Sequence, residues 1–426
     1  MSGPGPLAGL RVLELASEHA AYAGKLLADF GAEVLLVEPP GGHHTRRFGP
    51  FAEELDAGRD DRSLWFWHYN TTKLGIELDL ETDAGARTFG ELAAHADIVL
   101  EAEPVGRLAR LGLDDADLRR PGSPLVWVSV TPFGRTDPRS SEAVTDLTMM
   151  SGGGIVWMCG YDDHALPPVS SLGNQAFQTA SIWAAIGALV AVRARADTGR
   201  GQLVDVSIHA AVNVTTEQAT QWWLVSDKVV QRQCGRHASH VPTEPVVHRD
   251  RDGKEVHTGF PPHELGDLVA LVGWIDELGL RDAVPMVALL ELAIEAGGID
   301  LSHLRDDELA QECYRAAREA LVAIAGHLEG HEFFVQAQTR GLAVGVIYSP
   351  EEAMVDPHLV ERGFPTTVHQ PQLGREVLYP GVPVRFVGTP GGLLPAPSVG
   401  RDQARAEGWC RAATQGVPTT EEGLDQ

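Results

Sequence analysis

The sequence predicts an α/β fold, in which a large domain built on a parallel sheet is joined to a smaller α+β domain. Three observations predict it. The N-terminal part alternates short apolar runs with helical stretches, the pattern of βαβ units with right-handed crossovers. After about Trp223 the composition changes, first to polar loops and then to helical spacing. A chain of 426 residues also exceeds what one ordinary core encloses, so two domains are expected.

Leu10–Leu15 is an apolar run suited to a buried parallel strand. Ala20–Phe30 has helical spacing, with Leu26, Leu27 and Phe30 on one face, and Gly31 ends it. Glu33–Val37 is a second strand, broken by Pro39, Pro40, Gly41 and Gly42. Gly75–Leu80 is a third strand, Asp83–Ala94 an amphipathic helix, Ile98–Leu100 a fourth strand and Leu125–Val130 a fifth. A long alanine-rich helix covers Ala176–Arg195, and Leu203–Ile208 is a further strand. Residues 231–260 read as polar loops, 263–330 as mostly helical and Leu342–Ile347 as a strand. From Asp356 onward proline and glycine dominate, and the last dozen residues are polar. The large domain is placed at 1–215 and completed by about 380–426. The smaller domain is placed at 230–350, with linkers at about 216–229 and 351–379.

Composition narrows the function. A formal net charge of -25 argues against nucleic acid or an anionic membrane as partner, although a local basic pocket still fits an anionic ligand. The four cysteines stand far apart with no CxxC pair, which suits reduced thiols in the cytoplasm. The N-terminus lacks a charged segment followed by an apolar one, so no signal peptide is expected. The best candidate for a membrane span, Ile182–Val192, falls short of about 20 apolar residues.

Few motifs carry chemistry by themselves. Gly152-Gly153-Gly154 reads as a hinge or tight packing rather than a phosphate cradle, because GxxxxGK[ST] and GxGxxG are both absent. His43-His44 and the pair His237 and His240 lack a third ligand at metal spacing and are expected to face solvent. Ser129, Ser170 and Ser171 have no GxSxG context. Trp222-Trp223 suits core packing as well as a pocket or subunit contact. Asp146, ahead of a helical stretch, is either a helix cap or a carboxylate at the sheet edge available for covalent or acid/base work.

Several segments together resemble the class III CoA-transferase family, which also includes α-methylacyl-CoA racemases. They are PLAGLRVLEL at the start, Leu27–Gly42 followed by Arg46 and Arg47, Asn70–Leu80, Arg110-Leu111-Gly112-Leu113, Val128–Gly134, Thr198–Ser207, Asp356–Leu359 and Pro380–Val384. The resemblance covers nearly the whole chain. It implies a Rossmann-like large domain, a smaller domain and an interlocked dimer. It also implies CoA transfer between carboxylic acids through an aspartate that attacks the acyl-CoA thioester. Coenzyme A would be a substrate and not a resident cofactor. Lys73, Arg110 and Arg135 match, or neighbour, the basic positions expected to contact CoA.

The chain departs from the family where it matters most. Anchoring on Ala184-Ala185-Ile186-Gly187 and on Thr198–Gln202 puts Phe177 at the nucleophile's place, and the neighbouring Asn174, Gln175 and Gln178 are not carboxylates either. Glu101–Gly106 lacks the family's arginine, and Leu36 stands where a basic residue is usual. Thr145 replaces the racemase histidine, so racemisation is not expected. Three readings follow: a CoA-transferase or related acyl-CoA enzyme using Asp146 or another carboxylate, a catalytically silent subunit of a heteromeric transferase, or a CoA-binding homologue without catalysis. Trp157, Met158 and Phe177 permit a bulky hydrophobic acid.

Overall fold

The computed structural model describes residues 5–414, apart from 57, 58, 60, 171, 172 and 305. Ser171 and the last dozen residues lie outside the described residues. In chain order the large unit begins β1 (Arg11–Leu15), α1 (Ala21–Asp29), β2 (Glu33–Glu38), α2 (Leu64–Tyr69), β3 (Leu74–Glu77), α3 (Asp83–Ala94) and β4 (Ile98–Glu101). It continues α4 (Arg107–Arg110), α5 (Asp115–Leu118), β5 (Val126–Thr131), α6 (Asp146–Gly152), α7 (Gln175–Thr198), β6 (Leu203–Ser207), α8 (Ile208–Asn213) and α9 (Glu217–Ser226).

The six strands form one parallel sheet in the order β3-β2-β1-β4-β5-β6. This is the doubly wound arrangement, with its switch point between β1 and β4. The strands are nearly continuous apolar runs because both faces of the sheet are covered. On one face α1 and α7 bury Leu27, Ala180 and Ala184 against Val12, Val34, Ile98 and Val128. On the other face α3 places Phe89 and Leu92 on Leu13, Leu35 and Trp127. Fully burying side chains of this size contributes about 1.5–3 kcal/mol each. Gly24 of α1 lies so close to β1 that a Cβ would sit 1.9 Å from the Glu14 carboxylate, which is why the helix carries glycine there.

α7 is long and apolar enough to cross a membrane by length and composition alone. Its Ala176, Ala180, Ala184 and Ala188 face is nevertheless buried in the sheet core. The opposite face exposes Ile182, Trp183, Ile186 and Val190.

A second compact unit comprises residues 158–168 and 222–353, and the remainder belongs to the first. It contains β7 (Gln231–Gln233), β8 (Arg236–Ser239), β9 (Val247–Arg249), β10 (Glu255–His257), α10 (Leu265–Glu277), α11 (Val287–Glu295), α12 (Glu308–His327), α13 (Gly330–Thr339) and β11 (Gly345–Val346). Its core packs Leu271, Trp274, Leu290, Leu321, Ile324 and Phe333. The loop-rich stretch expected at 231–260 is thus threaded by four short strands. The loop 158–168 joins this unit because Arg232 donates to the Leu166 carbonyl at 2.8 Å and Arg236 pairs with Asp162 at 2.7 Å.

α14 (Pro350–Met354) leads into α15 (Pro357–Arg362), the antiparallel hairpin of β12 (Pro365–Gln370) and β13 (Arg375–Pro380), and finally α16 (Gln403–Thr414). The stretch 351–379, expected to be a linker, therefore carries regular structure, and from residue 354 it belongs to the first unit. α16 closes the sheet's second face with Ala406 and Trp409.

Candidate active site

Ligands of doubly wound sheets bind at the carboxyl ends of the strands. Here that edge brings the loop after β1, the start of α6 and the first turn of α7 together. Thr145 caps α6, accepting the Thr148 amide at 3.2 Å while Thr148 Oγ1 accepts the Thr145 amide at 2.8 Å. Asp146 is therefore the first helical residue and not the cap. Its side chain reaches α7, where Oδ1 accepts the Ala176 amide at 2.7 Å. Burial raises the Asp146 pKa above the usual carboxylate range, and hydrogen bonds from the Ala176 and Phe177 amides oppose this. Glu18, in the loop after β1, is raised by burial and by the Asp146 charge.

Phe177 is 2% exposed, and its ring centroid lies 4.4 Å from that of His19. Burial, followed by the His44 charge, lowers His19 to about 4, so the imidazole is neutral at physiological pH. Ser181 fixes the loop by donating to the His19 carbonyl at 3.1 Å. Next in α7, Gln178 Nε2 donates to the Tyr69 hydroxyl at 2.6 Å. The first turn of α7 thus presents a phenyl ring, an amide and two backbone donors held by a carboxylate from another helix.

The basic residues expected to meet CoA are placed differently. Lys73 is fully buried, and its ammonium donates to Glu14 Oε1 at 2.7 Å, the Ala21 carbonyl at 2.9 Å and Asn70 Oδ1 at 3.0 Å. With three donors and three acceptors satisfied, none remains for a phosphate, which corrects the expectation for this residue. Arg135 is held by Asp114 at 2.6 Å and Asp115 at 2.9 Å, beside the buried Glu101 whose pKa is raised by burial. Its cleft is lined by Glu101, Glu103 and Asp114 around that single guanidinium, so the local field does not favour an anion. Arg110, at the end of α4, is exposed. No hydrogen bond or ion pair among the described residues joins any two of Asp146, Lys73, Arg110 and Arg135. Arg46 is also occupied, gripping Glu38 bidentately at 2.7 and 2.6 Å.

His43, expected to face solvent, is largely buried and lowered to about 3 by burial and by His44 and Arg46. No group of three His, Cys, Asp or Glu among the described residues is arranged to hold a metal. The sequence directed attention to the loop after β1 but not to Glu18 and His19 within it. Gln178 stood beside the nucleophile's place in the sequence, but its pairing with Tyr69 carried no signal, because it joins positions far apart in the chain.

The family model for CoA-transferase family III matches residues 7–403. The chain belongs to CoA-transferase family III. Among relatives of this family it is 32% identical over 384 residues to a succinyl-CoA:(R)-benzylsuccinate CoA-transferase subunit of Thauera aromatica, covering 88% of this chain and 87% of that one. It is 27% identical over 402 residues to a succinyl-CoA–L-malate CoA-transferase alpha subunit of Chloroflexus aurantiacus, covering 92% and 86%. A CAIB/BAIF family protein from Brucella suis shares the fold at a TM-score of 0.72 and 24% identity, covering 96% of this chain and all of that one.

Proposed function

We propose that this family III chain is one subunit of a CoA-transferase that moves CoA between carboxylic acids, and that a second chain supplies the reacting aspartate. One observation carries the reading: a buried phenyl ring, Phe177 against His19, occupies the first turn of α7 where the family resemblance places the aspartate. A phenyl group cannot attack a thioester or hold the acyl group as an anhydride. The exposed apolar stripe of Ile182, Trp183, Ile186 and Val190 supports a second chain, as do the subunit names of two relatives. An interlocked pair in the cytoplasm, with CoA as substrate and no resident cofactor, belongs to the same proposal. Of the basic residues, Arg110 keeps its proposed role at a CoA phosphate.

A second reading has its own support. The Asp146 carboxylate lies beside the Phe177 backbone at the helix N-terminus, where it could act as nucleophile within this chain. Mass spectrometry of CoA exchange between acyl-CoAs and labelled free acids tests both. The subunit reading expects no exchange by the chain alone and exchange once an aspartate-bearing partner is added. Exchange by the chain alone would overturn it in favour of Asp146.

A further inference from the structure

A cavity of about 580 Å³ lies at the amino ends of the sheet strands, opposite the edge that carries the candidate active site. The first residues of β1, β2 and β3, which are Arg11, Glu33 and Leu74, line it with Ala8 and with residues 391–394. Backbone bonds fix its walls. The Leu7 amide donates to the Phe30 carbonyl at 3.0 Å, the Thr72 amide to the Leu394 carbonyl at 2.9 Å, and the Leu394 amide to Thr72 Oγ1 at 3.1 Å.

The charges around this cavity do not balance. Burial pushes the Glu33 carboxyl up, but bonds from Arg405, at 3.0 Å from Nε, and from the Trp409 indole hold it below its usual range. Asp97 accepts the Arg11 amide at 2.9 Å and pairs with Arg195 at 2.8 Å. Each carboxylate thus has its own cation. The Arg11 guanidinium lies over the Trp409 ring, 5.2 Å from its centroid, and among the described residues it makes no hydrogen bond and no salt bridge. A guanidinium stacked by its face keeps its edge N–H groups for acceptors in its own plane, and it matches a carboxylate bidentately. One uncompensated positive charge suits a monoanion better than a dianion on a chain of net charge -25. Ala8, Ala28, Ala32 and Leu74 leave the rest of the wall apolar, and Gly391 and Gly392 let a ligand approach the backbone.

We propose that this cavity is a second ligand site, which takes a monocarboxylic acid with an aliphatic body and holds its carboxylate on Arg11. An acid held there lies at the far end of the strands from Phe177, so it is not placed to react. The inference goes beyond the transferase reading and does not depend on it, because its test reads binding and not CoA exchange.

Isothermal titration of the full chain with octanoate and with octanamide tests it. Octanoate is expected to bind about tenfold to hundredfold more tightly, the difference made by a charge-assisted pair. Arg11→Met keeps an unbranched stem beside Trp409 and removes the charge, and is expected to lower octanoate to the octanamide affinity. Ala8→Phe, at an exposed position of the lining, is expected to fill the cavity and abolish binding of both, which keeps the test decisive if Arg11→Met does not fold. No binding of octanoate, or equal binding of octanamide, would overturn the proposal. Octanoate affinity unchanged in either folded variant would also overturn it, by placing the acid elsewhere on the chain.

Discussion

Phe177 and His19 face each other at 4.4 Å with their planes tilted by 42°, so the place expected to hold a reacting carboxylate is closed by two uncharged rings. Each explains the other. The phenyl ring excludes water from the imidazole, and the neutral imidazole gives the ring an apolar partner. A carboxylate at 177 would lie beside a histidine free to charge, which is a different electrostatic site.

Phe177→Ala should therefore do two things. Removing a fully buried phenyl group should cost about 3–5 kcal/mol of stability, read as a lower urea midpoint. Water entering the cavity should also raise the His19 pKa from about 4 toward its ordinary value, read by NMR titration. A His19 titration unchanged by the substitution would show that something other than Phe177 keeps it neutral.

Lys73 should act through folding. It is buried with Glu14, and burial drives the pair toward neutrality, raising Glu14 and lowering Lys73 against their mutual attraction. Lys73→Met leaves a buried carboxylate without its cation and should cost about 3–5 kcal/mol. Adding Glu14→Leu should recover most of this, while CoA affinity measured on the folded double variant should stay unchanged. A loss of CoA affinity with stability intact would return Lys73 to the phosphate site.

Stability should fall on acidification below the ordinary histidine pKa. His19, His43 and His68 are lowered to about 4, about 3 and about 4, in each case first by burial. A base depressed in the folded state binds fewer protons there than in the unfolded chain. Its contribution is full above about pH 6.5 and is lost as pH falls from there through the folded values. Each such group changes stability by about 1.4 kcal/mol per pH unit inside that window. Urea midpoints between pH 7 and pH 4 should show the decline, and His19→Gln should make it shallower by about one proton.

The parallel sheet was legible because strands buried on both faces must be continuous apolar runs, and Leu13, Leu35, Val99 and Val128 lie in such runs. The β12–β13 hairpin was not, because Pro371 and Gly374 look like a loop until Thr366 is seen facing Tyr379 across the ladder. At the site, the sequence led to position 177 through the family resemblance and to the loop after β1 through its place behind an apolar strand run. It hid the fate of Lys73, which depends on Glu14, a residue 59 positions away. It also offered Asp146 as a possible α6 cap where Thr145 serves, because both are good cap residues and only the reciprocal bond to Thr148 decides between them.

Asp146 offers the sharpest division between the two functional readings. As a strut between α6 and α7, it needs only an acceptor for the Ala176 amide, which Asp146→Asn keeps through its carbonyl oxygen and Asp146→Ala removes. The alanine variant should lose about 1–3 kcal/mol, because a partly buried donor is left without an acceptor. The asparagine variant should stay close to wild type. Its altered pH dependence carries a definite sign: a carboxyl whose folded pKa is raised contributes stability that is present below its unfolded value and lost as pH rises through the folded one. Asp146→Asn should therefore remove a small decline in stability at mildly acidic pH. With the partner chain present, this variant should still support CoA exchange, since an amide serves the strut as well as a carboxylate does. A variant as stable as wild type that exchanges no CoA would make Asp146 the nucleophile, because only the covalent step needs the charged oxygen.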